Sequence, residues 1–166
     1  DHADIYADLA AVQLAFTRLM SVIPRRGLLI ASVESPGLVE ILPRAISRVA
    51  TFALGARSEA EWQARDVALS AEGAEFDVFC RGERHGRIRM SASGNHNVRN
   101  ALAAVIAAFE AGVPFERVAA AFADFRGVKR RLELRGEARG IAVYDDFAHH
   151  PTAVRETVAA LRSRIG

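Results

Sequence analysis

Apolar residues near the start of the chain recur at helical spacing. Ile5, Leu9, Val12, Phe16, Leu19 and Ile23 lie three or four positions apart, and Pro24 interrupts the run. The spacing predicts a helix over 5–23. The following run, GLLIASVE at 27–34, is continuously apolar and suits a strand covered on both faces, as in a parallel sheet. A short helix over about 36–46 leads to RVATFAL at 48–54, the expected next parallel strand. The first third therefore reads as a β-α-β alternation.

The period then drops to two. WQARDVALS, AEFDVFCRG and GRIRMSAS alternate apolar and polar positions, separated by the glycine-bearing breaks AEG (71–73) and RGERHG (81–86). That is the pattern of an antiparallel meander with one wet face. Helical spacing returns with Val98, Leu102, Val105, Ile106 and Phe109, while Ala101, Ala104 and Ala108 form a second, small-residue face that permits close packing. Gly112 and Pro114 end that helix, and Phe115, Val118, Phe122 and Phe125 mark another. FRGVKRR (125–131) is a basic, glycine-containing break and the expected domain boundary. Beyond it LELRG and GIAVYDD read as strands, and PTAVRETVAALRSRI as a helix with Val154, Val158, Leu161 and Ile165 turned inward. These last elements cannot make a core alone. The expected organisation is 1–130 as one partial domain and 131–166 as the opening of a second. The chain starts with Asp1 almost inside a helix pattern, so the start reads as a cut in a longer protein.

Composition narrows the picture only a little. Half of the 166 residues are apolar and the net charge is +2, with 21 arginines and the single lysine Lys129. So thin an excess gives little support to nucleic-acid binding. A run of roughly 18 apolar residues is lacking, so no membrane span is expected. Cys80 is the one cysteine, which excludes an internal disulfide and suits a reducing compartment. It lies on the apolar phase of its strand and is expected to be a buried thiol.

Four segments offer chemistry. In SGNHNVRNA (93–101), Asn95 or a neighbour can cap a helix whose first turn carries His96, Asn97 and Asn100. Asn97 and Asn100 share a face, close to backbone N–H groups, where a nucleotide can be held by amide hydrogen bonds. The same residues also read as an Asn-rich cap with a solvated histidine. In KRRLE (129–133), Arg130 and Arg131 can pair with phosphate, or be a solvated linker. In YDDFAHHP (144–151), Asp145 and Asp146 sit where a strand ends, the place where open α/β sheets bind ligands. Pro151 is suited to open the next helix, with His149 and His150 flanking its N-terminus. Asp145, Asp146, His149 and His150 also permit a metal-hydrolase reading, and a strand-end and helix-cap reading besides. In DHADIY, His2 with Asp1 or Asp4 can contact a divalent ion. A free-standing, non-catalytic nucleotide-binding α/β module is a further reading of the whole.

DHADIY, GNHNVRNALAA, FRGVKRRLELRG and VYDDFAHHPTA occur in an order and spacing that resemble the Mur ligase family, the ATP-dependent amide-forming enzymes of peptidoglycan synthesis. DDFAHHPTA with VKRRLE resembles most the branch that joins the tripeptide L-alanyl-γ-D-glutamyl-meso-diaminopimelate to UDP-N-acetylmuramate through an acyl phosphate, in murein recycling. The branch that adds L-alanine to UDP-N-acetylmuramate is the alternative. The resemblance implies an α/β fold: the second half of a P-loop-type central ATPase domain, followed by the first strand and helix of a Rossmann-like C-terminal domain. It implies ATP and Mg²⁺ as cofactors and a cytoplasmic location. The UDP-sugar domain, the P-loop half and the rest of the C-terminal domain would lie outside these residues, and the chain alone is expected to be inactive. By resemblance, His2 helps hold a magnesium ion. Asn97 and Asn100, with His96 beside them, lie near the nucleotide. Arg131, with Arg130, reaches the ATP phosphates, and Asp146, with Asp145 beside it, binds the ribose. His149 and His150 line the same cleft. Some branches carry a carbamylated lysine on the first helix. Here that helix has no lysine and Thr17 stands near that place; branches that act on UDP-N-acetylmuramate itself also lack the lysine.

Overall fold

The structure, a computed structural model, describes residues 5–56 and 59–165, with residues 163–165 described by their backbone alone. It is an α/β fold built on a five-stranded mixed sheet. Strands β1 (Leu28–Ser32), β2 (Arg48–Leu54), β3 (Trp62–Leu69), β4 (Ala74–Cys80) and β5 (Glu83–Met90) lie side by side in chain order. β1–β2 and β2–β3 pair in parallel, and β3–β4 and β4–β5 antiparallel. The switch follows from the sequence period. The continuous apolar run feeds the parallel half, and the alternating runs feed the meander.

One face of the meander carries Trp62, Ala64, Phe76, Val78, Ile88 and Met90, which pack against Val98, Leu102, Val105 and Ile106 of helix α3 (Asn95–Glu110). Helix α4 (Phe115–Asp124) adds Val118 to this core. The alanine face of α3 does not close tightly. Ala101, Ala104 and Ala108 line an apolar groove of about 520 Å³ shared with α4. On the opposite face of the sheet Asp77 is buried and takes hydrogen bonds from Arg84 and Arg87.

Several expectations are corrected. The first helix, α1 (Leu9–Val22), starts later than its apolar spacing, because the Asp8 side chain caps it by accepting from the Ala11 N–H. Met20 is its one fully buried residue, while Leu9, Phe16 and Leu19 are exposed. Periodicity identifies an apolar face, but burial needs a partner layer, and the described residues supply only the short segment around Leu38 and Ile41. The helix expected over 36–46 is instead α2 (Pro36–Val39) followed by a 3₁₀ turn at Leu42–Arg44. Pro43 lacks the N–H that would bond to the Val39 carbonyl, so the α-helical ladder cannot run through it. β1 is half-buried rather than covered on both faces, because it forms an edge of the sheet among the described residues. Cys80 is also half-buried, and burial, aided by Glu61, pushes its thiol above the ordinary range.

Segment 125–132 has no regular structure and leads to a separate antiparallel hairpin, β6 (Glu133–Ala138) and β7 (Ile141–Asp145). Arg139 and Gly140 both take left-handed backbone at φ 54° and 76°, as a two-residue type I′ turn requires. Helix α5 (Pro151–Ile165) opens on Pro151 as expected. Its anticipated inward face is not inward: Val154 and Val158 are exposed and Leu161 is half-buried, whereas Ala160 is buried against the start of α3. The side chain of Ile165 lies outside the described residues. No described helix is long and apolar enough to cross a membrane.

Candidate functional site

The first turn of α3 faces the linker and α5, and this junction gathers the polar residues singled out in the sequence. Gly94, not Asn95, is the N-cap residue, at φ 101°, with no side-chain cap. Its carbonyl accepts from the N–H groups of Asn97 and Val98, at 3.0 and 3.1 Å. A Cβ at position 94 would stand 2.9 Å from the Ala160 Cβ and 2.9 Å from the His96 ring. Glycine is therefore what lets α5 approach α3 here. The Asn97 side chain donates to the Ser93 carbonyl at 2.7 Å, which orients its amide. Asn97 is half-buried and Asn100 exposed, and both face the same cavity.

His96 carries an unsatisfied buried atom, as does Ser93 just before the turn. The His96 Nδ1 is buried with no hydrogen-bond partner among the described residues. Burial pushes its pKa below the ordinary value, against the opposing charges of Glu156 and Asp146. The neutral ring is thereby favoured, with one nitrogen open to a ligand donor or acceptor.

The linker reaches this junction through strained backbone. Gly127, Arg130 and Leu132 have φ of 86°, 58° and 48°, and for the latter two left-handed backbone is costly. Hydrogen bonds hold it there. The Arg130 N–H donates to Glu133 Oε2 at 2.8 Å, and the Arg130 carbonyl accepts from the Phe147 N–H at 2.9 Å. The Leu132 N–H donates to Asp146 Oδ2 at 2.8 Å. Asp146 also accepts from the Ala148 N–H at 2.8 Å and from Thr157 Oγ1 at 3.2 Å, both at Oδ1. One carboxylate thus ties together linker, strand end and helix α5. Burial pushes the Asp146 carboxyl up, but the hydrogen bonds from Ala148, Leu132 and Thr157 and the charge of Arg131 outweigh it and leave the group below its ordinary value. With three of about four acceptor positions occupied, one remains for a ligand hydroxyl.

Residues far apart in sequence meet in a cavity of about 330 Å³, lined among others by His96, Asn97, Asn100, Arg131, Asp146 and Thr157. A neighbouring cavity of about 420 Å³ shares Asn97 and Arg131 and adds Arg126 and Lys129. Amides and an imidazole at one side, a carboxylate at another and guanidinium groups at the rim suit a ligand with a hydrogen-bonding body, hydroxyls and an anionic tail. Arg130 lies with its Nε 3.7 Å from Asp145 Oδ2, and neither residue lines the two cavities. His149 and His150 do not line them either. His149 is exposed, with Nδ1 2.9 Å from the Phe147 carbonyl, and the His150 carbonyl accepts from the Val154 N–H in the first turn of α5. Among the described residues no three His, Cys, Asp or Glu side chains converge as a metal site. His2, Asp1 and Asp4 lie outside the described residues. Sequence reasoning does not single out Thr157 or Phe147. Nothing in local spacing marks either, since their roles depend on how α5 and the linker pack.

Comparison with known proteins gives this geometry a context. Residues 1–108 match the Mur ligase middle domain, and residues 130–166 match the domain described as Mur ligase, glutamate ligase domain. A UDP-N-acetylmuramate–L-alanine ligase of Salinibacter ruber is 42% identical over 160 residues, 96% of this chain and 33% of that protein. The UDP-N-acetylmuramate–L-alanyl-γ-D-glutamyl-meso-2,6-diaminoheptandioate ligase of Escherichia coli is 41% identical over an alignment of 173 positions, covering 100% of this chain and 35% of that protein. The crystal structure of a murein peptide ligase from Psychrobacter arcticus superimposes with a TM-score of 0.73 at 34% identity, over 97% of this chain and 34% of that one. The chain thus spans about a third of the length of the relatives it matches. With its middle-domain match covering most of its length and its ligase-domain match covering the rest beyond the linker, the chain belongs to the Mur ligase family.

Proposed function

We propose that this chain forms part of the ATP site of a cytoplasmic ligase that joins the tripeptide L-alanyl-γ-D-glutamyl-meso-diaminopimelate to UDP-N-acetylmuramate in peptidoglycan recycling. Residues 1–130 belong to the central ATP-binding domain and 131–166 open the C-terminal domain. The carrying observation is the cavity in which His96, Asn97 and Asn100 from one side meet Arg131 and Asp146 from the other. The tripeptide is supported by the E. coli relative, aligned over the whole chain, and by the segments VKRRLE and DDFAHHPTA. L-alanine as the amine is the alternative, supported by the S. ruber relative at 42% identity.

In this reading the Asn97 and Asn100 amides hydrogen-bond the base, with neutral His96 beside them. Asp146 accepts from a ribose hydroxyl with its remaining lone pair, and Asp145 adds negative charge behind it. Arg131, with Arg130 at the rim, neutralises the phosphates. When bound, ATP supplies the phosphoryl group that activates a carboxylate for attack by an amine. The task of these residues is positioning and charge neutralisation, which is what phosphoryl transfer mainly requires of a protein. His2, which in this reading would help hold a magnesium ion that neutralises phosphate charge, lies outside the described residues.

Titration of the chain with ATP, followed by NMR, tests the reading. ATP is expected to move the amide signals of residues 94–100, 126–133 and 144–148. Replacing both Asn97 and Asn100 with alanine is expected to weaken binding by about fivefold to a hundredfold, at roughly 0.5–1.5 kcal/mol for each lost hydrogen bond. Wild-type affinity in that double variant would overturn the reading. Ligase turnover by the 166-residue chain alone would overturn its assignment as part of a larger catalytic unit.

A further inference from the structure

Phe147 is half-exposed at the end of β7, and neither the fold nor the nucleotide reading calls for an aromatic ring there. Its surroundings are specific. The ring lies 5.0 Å from the Arg130 guanidinium carbon and 5.7 Å from that of Arg131. The His149 ring packs edge-on against it at 5.2 Å, and His149 Nδ1 is 2.9 Å from the Phe147 carbonyl. Two hydrogen bonds straddle Arg131 in sequence: Phe147 N–H to the Arg130 carbonyl, and Leu132 N–H to Asp146. The backbone that carries Arg131 and the backbone that carries the ring are thus pinned to each other.

The guanidinium of Arg131 forms no hydrogen bond or ion pair among the described residues, yet it lines both cavities. A carboxylate partner would orient it only by occupying its N–H donors. An aromatic face attracts the cation through its quadrupole and leaves all five donors free for an anion. We infer that Phe147 is a positioning residue: its ring, buttressed by His149, holds the Arg131 guanidinium at the cavity mouth with its donors available for phosphate. This rests on the nucleotide reading above. It also assigns a role to His149, which that reading leaves idle.

The test compares Phe147→Leu and Phe147→Tyr for binding of ATP and of adenosine, measured by NMR titration of the chain. Phe147→Leu is expected to weaken ATP binding about two- to fivefold, the range for a cation–π contact at an exposed site. Adenosine affinity is expected to stay unchanged, because the ring acts only through the arginine. Phe147→Tyr restores ATP affinity, and in an Arg131→Met background Phe147→Leu adds no further loss. Unchanged ATP affinity in Phe147→Leu, or an equal loss for adenosine, overturns the inference while leaving the nucleotide reading intact. If instead ATP binding survives removal of Asn97 and Asn100, the nucleotide reading falls and the inference with it.

Discussion

The two halves of the site come from regions held together by different forces. The five-stranded sheet with α3 and α4 surrounds fully buried Trp62, Phe76, Ile88, Leu102 and Ile106. The hairpin and α5 bury Ala160, and leave Leu134, Ile141, Val143, Val154 and Val158 exposed. Burying a large apolar side chain is worth about 1.5–3 kcal/mol, so the first region owes its rigidity to area removed from water. The second is braced internally by the Asp146 hydrogen bonds to Leu132, Ala148 and Thr157, at a net of about 0.5–1.5 kcal/mol each, and meets the first at the close contact of Ala160 with Gly94. His96, Asn97 and Asn100 therefore sit on the rigid side. Arg131 and Asp146 sit on the side that is braced by a few polar bonds of its own and meets α3 at the small contact of Ala160 with Gly94.

Core truncation should separate the regions most sharply. Phe76→Ala is expected to cost about 3–5 kcal/mol in denaturant unfolding, through lost burial and a cavity. Val143→Ala, on the exposed hairpin, is expected to stay within about 0.5 kcal/mol. Comparable losses for the two would erase the contrast.

Gly94→Ala probes the seam itself. The added Cβ meets Ala160 and the His96 ring, and a φ of 101° is unfavourable for alanine. An intermediate cost of about 1–3 kcal/mol is expected. It should be read first in hydrogen exchange, as lost amide protection in α5 while β2 to β5 keep theirs. Retained protection in α5 would mean that the approach of the helices does not need glycine.

Within the rigid region a smaller effect than core truncation belongs to Asp77. The hydrogen bond from Arg87, then that from Arg84, outweighs burial and lowers its carboxyl from 3.8 to about 2. A lowered folded-state pKa adds stability that is complete above the unfolded value of 3.8 and is lost as pH falls to about 2. Asp77→Asn is expected to cost about 1 kcal/mol or less at neutral pH, since both arginines are partly exposed. The difference from wild type should shrink between pH 4 and 2 in acid unfolding curves. A gap that is constant with pH would show that the carboxylate charge is not what matters.

Much of the fold was legible because each period has a direct structural meaning. Continuous apolar runs became the parallel strands, alternating runs the meander, and Val98, Leu102, Val105 and Ile106 the inward stripe of α3. The failures share a cause. Leu9, Phe16, Val154 and Val158 keep perfect helical spacing and still face outward, since an apolar face is buried only where another layer covers it. The asparagine pair and Asp146 stood out as residues with chemistry to offer. Thr157, eleven positions beyond Asp146, did not, because only the packing of α5 brings its hydroxyl to that carboxylate.

The sequence alone determined most of the strands and longer helices, the change from a parallel half to an antiparallel meander, and the family to which the chain belongs. Those depend on local backbone preference and on residue identity in order. Tertiary structure decided that Gly94 admits Ala160, that Asp146 binds three segments at once and that Phe147 lies beside Arg131. These are contacts between residues up to 66 positions apart (Gly94 and Ala160), and no spacing along a chain encodes which of its faces will meet.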